Sequence, residues 1–159
     1  MVASSFDGER SRRLSEIRHV RFEVGDPLSR ASEAVLFGGW LASRLGWTHP
    51  RREGELSWWL RTSDGHEVSL EVGTTPEGDR ATGLSAVLFH GAAEAPLGIW
   101  RWSFPNRVWN VEPPGGGPAL VVRAVPETAS TPWLRALRRP RASAAAREAL
   151  TLAHRLAIG

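Results

Sequence analysis

Five histidines (His19, His49, His66, His90 and His154), a run of three glycines at Gly115-Gly116-Gly117 and eight tryptophans have the most scope for chemistry in this 159-residue chain. A metal site wants imidazoles and carboxylates at recurrent short spacings, and the five His show no such ligand pattern. The glycine run could cradle a phosphate if it opened a helix. It follows Pro113-Pro114 and precedes a Val-rich stretch instead, so a hairpin turn is expected there. No Gly-x-Ser-x-Gly elbow, Walker loop or dinucleotide fingerprint occurs, and no serine has a context that marks a nucleophile. Cysteine is absent, which removes disulfides, thiolate catalysis and a thiol switch. The residues alone therefore predict no catalytic residue, no metal and no cofactor.

Tryptophan and arginine are the unusual residues. Trp100, Trp102 and Phe104 alternate with Ile99, Arg101 and Ser103, which places the rings on one face of a strand. Packed against helices, that face is core. Left open, it would bind sugars, bases or a partner protein. Core is the expected use. Arg101, Arg107 and Arg123 would form a basic stripe if neighbouring strands align them. All 20 basic residues are Arg, and with no Lys or Tyr a net charge of only +3 gives a pI near 11.0. Acidic residues are interleaved along most of the chain, so nucleic acid is not an expected partner. No apolar run approaches the roughly 18–20 residues of a membrane span. Residues 1–13 are polar and lack the apolar middle of a signal peptide, and the expected location is the cytoplasm.

The elements that must position these residues follow from periodicity. Residues 1–15 read as a mobile lead-in and residues 16–159 as a single domain. Within Glu16–Val24, Val20, Phe22 and Val24 alternate with Arg21 and Glu23, a half-buried strand. Asp26 as N-cap and Pro27 in the first turn start a helix that runs to about Leu45, with Gly46 as a left-handed stop. Ala34, Gly38 and Ala42 recur every four residues and would let a sheet or helix approach closely. The pair Gly38-Gly39 costs about 1 kcal/mol per residue relative to Ala, which packing must offset. Thr48–Gly54 reads as a loop. Strands are expected at Glu55–Thr62, His66–Val72, Gly83–Phe89, Leu97–Phe104, Val108–Glu112 and Ala119–Val125, with Asp64-Gly65 as a hairpin turn. Thr131–Arg138 reads as a short helix. A longer one follows Pro140, with Ala146, Leu150, Ala153 and Leu156 as its apolar stripe. The expected class is α+β: an antiparallel sheet of about five to six strands, covered on one face by an N-terminal and a C-terminal helix.

The segment Leu36-Phe37-Gly38-Gly39-Trp40-Leu41-Ala42-Ser43-Arg44-Leu45-Gly46-Trp47 resembles OpcA, the glucose-6-phosphate dehydrogenase assembly proteins of bacteria. Gly39–Trp47 carries the specific likeness. The order of elements from Ser15 to Ala157, including the Ala144–Leu150 helix, is similar to the C-terminal half of that family, so the chain is either a fragment or a stand-alone relative. The resemblance implies a non-enzymatic regulator that binds glucose-6-phosphate dehydrogenase and promotes its assembly or active state in the oxidative pentose phosphate pathway. Among Trp40, Arg44, Trp47, Trp100, Arg101 and Trp102, the exposed members are the expected contacts, because Trp and Arg dominate interface hot spots. The alternative is a module that binds a sugar phosphate between Trp and Arg side chains.

Overall fold

The structure is a computed structural model that describes residues 13–25, 27–75, 84–92, 96–103, 108–112, 120–123 and 144–158. After a 3-10 turn at Arg13–Glu16, strand β1 (His19–Val24) buries Val20, Phe22 and Val24. Helix α1 (Pro27–Leu45) ends as its sequence dictates. Gly46 adopts a φ of 67°, and Trp47 N donates to Ala42 O at 2.9 Å, the six-to-one bond of a glycine-terminated helix. The Asp26 cap lies outside the described residues.

Seven strands follow: β2 (Thr48–Gly54), β3 (Ser57–Arg61), β4 (Glu67–Thr74), β5 (Leu84–His90), β6 (Pro96–Ser103), β7 (Val108–Glu112) and β8 (Leu120–Arg123). Helix α2 (Ala144–Ile158) closes the chain. All eight strands form one sheet in the order β2-β3-β4-β1-β5-β6-β7-β8. The sheet is mixed, which corrects the antiparallel expectation: β1 runs parallel to β4, while the other pairs are antiparallel. The 19 residues of α1 carry the chain about 28 Å back along the sheet, and a helical crossover of that kind lets two strands run parallel. The count is also larger than five to six. Thr48–Gly54, expected as a loop, is the edge strand β2, exposed at nearly every position and therefore without an apolar alternation to betray it.

Both helices lie on the same face. The core joins Phe22, Leu60, Leu70, Val87, Phe89 and Trp100 of the sheet to Leu41 of α1 and to Leu152 and Leu156 of α2. The adjacent glycines divide the work between two neighbours. A Cβ on Gly38 would sit 3.4 Å from Leu70 Cδ1 and 3.6 Å from the Phe22 ring, toward the sheet. One on Gly39 would lie 2.5 Å from Ala153 N and 2.7 Å from Ala149 O, inside the backbone of α2. The buried stripe of α2 is Ala149, Leu152, Ala153 and Leu156. It is rotated from the expected one, because close approach to Gly39 demands small residues at 149 and 153 and leaves Leu150 at the margin. The expected helix at 131–138 and the 113–117 turn lie outside the described residues.

Candidate functional site

The helices leave the second face of the sheet without a described element over it. Side-chain alternation along each strand decides what that face carries. From β1 come His19, Arg21 and Glu23; register places Ser69, Glu71 and Gly73 of β4 beside them on one flank, and His90, Leu88 and Ala86 of β5 on the other. Arg101 of β6 is opposite Ala86, and Asn110 and Glu112 of β7 continue the face outward.

Glu23 is the buried centre of this surface, with only 10% of its side chain exposed. Gly73 and Ala86 are its small neighbours on either side, and two arginines close over them. A Cβ on Gly73 would meet Arg21 NH2 at 2.8 Å, so the guanidinium of Arg21 occupies the space that glycine leaves. Arg21 Nε lies 4.0 Å from Glu23 Oε1, and Arg101 NH1 lies 3.8 Å from Glu23 Oε2. Arg21 also hydrogen-bonds Glu71 at 3.3 Å, and Arg101 Nε pairs with Glu112 at 3.8 Å. Both ion pairs of Arg101 exceed hydrogen-bond length. Its side chain is 46% exposed, and among the described residues no hydrogen bond engages its five donors.

A polar cluster adjoins this network. His19 and His90 are direct cross-strand partners, their ring centroids 5.6 Å apart. His19 Nδ1 and Ser69 Oγ are 2.7 Å apart, and His19 Nε2 lies 3.7 Å from Glu71. Ser69 Oγ donates in turn to Arg18 O at 3.5 Å, so a proton on His19 Nδ1 satisfies both contacts. Burial holds the His19 pKa below its ordinary 6.5 and outweighs the attraction of Glu71; His90 and Arg21 push the same way as burial. At the end of the sheet, Arg18 NH1 donates to His66 Nε2 at 2.8 Å, which leaves Nδ1–H facing Asp64 at 3.0 Å. The Thr62 hydroxyl donates to Asp64 and lowers its carboxyl pKa, with His66 adding to that effect.

The six expected contact residues do not share one surface. Trp47 and Trp100 are 3% and 7% exposed and belong to the core. Trp40 is half-buried beside Phe37, whose ring in turn meets Trp100 edge-on. Arg44 is exposed at the end of α1, on the helix side, whereas Arg101 is exposed on the opposite face. The Trp102 side chain lies outside what is described. The expected basic stripe does not line up either: Arg101 registers through Asn110 with Val121, and Arg123 registers through Val108 with Ser103. Arg107 lies outside the described residues. Sequence reasoning placed Arg21 and Glu23 away from the core, but not His19, Glu71 and His90 beside them. Only strand register brings those five together.

Other features carry less. An open groove of about 500 Å³ runs between α1, α2 and the β2–β3 turn, with Val35, Leu56, Trp58 and Ala153 along it and Arg52 and His154 at its rim. Among the described residues no group of three His, Cys, Asp or Glu could hold a metal ion, and no helix is long and apolar enough to cross a membrane.

The described residues thus form a mixed sheet with both helices on one face and ion-paired charged residues on the other. Residues 1–150 match the family described as the C-terminal domain of the glucose-6-phosphate dehydrogenase subunit, OpcA, and the chain belongs to that family. The family is one of assembly or regulatory proteins associated with glucose-6-phosphate dehydrogenase. Comparison with curated proteins gives no match.

Proposed function

We propose that this chain is a non-enzymatic, cytoplasmic protein that binds glucose-6-phosphate dehydrogenase and promotes its assembly or active state, docking through the open face of its sheet. One observation carries the choice of face: Arg101 stands half-exposed between Glu23 and Glu112 with its guanidinium donors uncommitted to hydrogen bonds among the described residues. An arginine of that kind gains directed hydrogen bonds when a partner arrives, and arginine is enriched at interface hot spots. Arg44 and Trp40 lie on the helix side, away from that face, and serve as the comparison. Activation requires tighter binding to the active form of the enzyme than to the inactive one, since equal affinity shifts nothing.

The sugar-phosphate alternative needs indole faces open to solvent. Trp47, Trp58 and Trp100 are in the core, and Trp40 and Trp59 are half-buried. A biosensor measurement of the dehydrogenase on immobilised wild type, Arg101→Glu and Arg44→Glu tests the reading. Binding lost with Arg101→Glu and kept with Arg44→Glu is expected. The reverse pattern would move the interface to the helix side.

A further inference from the structure

Resting on the open face as the docking surface, we infer that it takes an amphipathic aromatic side chain of the dehydrogenase, a tyrosine or a tryptophan. The ring lies on Leu88 and Ile99, and its O–H or N–H donates to Glu23. Leu88 of β5 and Ile99 of β6 are direct cross-strand partners on this face. Both are half-buried, and among the described residues neither belongs to the core under the helices. Arg21 flanks Leu88 from β1, and Glu112 flanks Ile99 from β7. An apolar pair inside a charged border has the anatomy of an interface anchor point, with a dry centre and a wet rim.

Apolar surface alone would accept any hydrophobic side chain, and the neighbouring row of residues narrows the choice. Two residues along the same strands, Ala86 is paired with Arg101, and Glu23 lies on the other flank of Ala86. Glu23 is buried, and its Oε2 has no hydrogen-bond partner among the described residues. Arg101 NH1 faces that oxygen at 3.8 Å, beyond hydrogen-bond length. A buried acceptor in that state is costly, and a donor brought by the partner relieves the cost. Arg101 can turn aside without breaking a hydrogen bond and lie on the arriving ring, its plane against the π system and its edge still free to donate. An apolar body, a flat π face and a neutral donor at the tip are what tyrosine and tryptophan combine. Neither carries a charge, so the choice does not depend on the balance of Arg and Glu around the pair.

The test has two arms. In the first, the affinity of the cognate dehydrogenase is measured for wild type, Leu88→Ala, Ile99→Ala and Glu23→Met, with circular dichroism to confirm that each variant is folded. Each alanine variant is expected to bind about tenfold more weakly, as truncating the floor of an anchor pocket does. Glu23→Met, which keeps the length and removes the carboxylate, should bind about fivefold more weakly, the worth of one hydrogen bond. In the second arm, N-acetyltyrosinamide, N-acetyltryptophanamide and N-acetylphenylalaninamide are titrated into the free wild-type chain and followed by NMR. The first two should shift the signals of Leu88, Ile99 and Arg101, and the phenylalanine probe should bind about fivefold more weakly than they do. Full affinity of the dehydrogenase for both alanine variants overturns the inference. Equal binding of the tyrosine and phenylalanine probes, or probe shifts confined to other residues, overturns it as well. No binding of the dehydrogenase to wild type overturns the docking reading itself, which separates the two failures.

Discussion

Strand β1 is six residues with two environments. On one side Val20, Phe22 and Val24 are almost wholly buried under α1. On the other His19, Arg21 and Glu23 hold an ion-pair and imidazole network that no described element covers. The first side is fixed by side-chain period alone, since any apolar residue of about the right size could serve. The second depends on which residues of β4, β5 and β6 the register brings alongside. The covered face should therefore answer to mutation in stability, and the open face in binding.

The largest effect expected is from Phe22→Ala, which removes a ring packed edge-on against Phe37 and should cost about 3–5 kcal/mol of unfolding free energy in urea titration. Gly39→Ala comes next. Its methyl would lie within 2.7 Å of the α2 backbone, so the helices must part, at about 1–3 kcal/mol. A comparable loss for Gly38→Ala would break the distinction between the two glycines. That methyl meets only side chains at 3.4 Å or more, and the helix propensity gained, about 1 kcal/mol, should leave the melting temperature nearly unchanged or slightly raised.

On the open face, Arg101→Lys keeps the charge and should alter stability by less than about 0.5 kcal/mol while weakening the complex with the dehydrogenase. Acid sharpens the comparison further. The His19 pKa is lowered on folding, so the unfolded chain takes up the proton more readily; this contribution is complete above 6.5 and is lost as pH falls through the folded value. Asp64, lowered mainly by the Thr62 hydroxyl, adds a second contribution, complete above 3.8 and lost as pH falls below it. Denaturant midpoints measured from pH 8 to pH 3 should therefore decline in two stages. Removing His19 (His19→Gln) should abolish the first stage alone.

How much could be read from the residues follows the same division. Helix α1 is legible end to end, because Pro27 and Gly46 mark it chemically, and Val108–Glu112 is legible to the residue. The strand Thr48–Gly54 is not, because an edge strand exposed on both sides has no apolar alternation to show. The parallel pairing of β1 with β4 is also hidden, since it depends on where a crossover lands rather than on any local pattern. Among the candidate contacts, residue type alone could not say that Trp47 and Trp100 are core while Arg101 is exposed. His19, Glu71 and His90 belong to three strands far apart in sequence and become neighbours only through register.

The most direct measurement follows the rate of the cognate glucose-6-phosphate dehydrogenase and formation of the complex together, as the chain is titrated in. A saturable rise in rate that tracks binding, and that Arg101→Glu abolishes, is the expected result. Neither binding nor a change in rate, with an enzyme from the same organism, would contradict the proposal that this domain regulates the dehydrogenase.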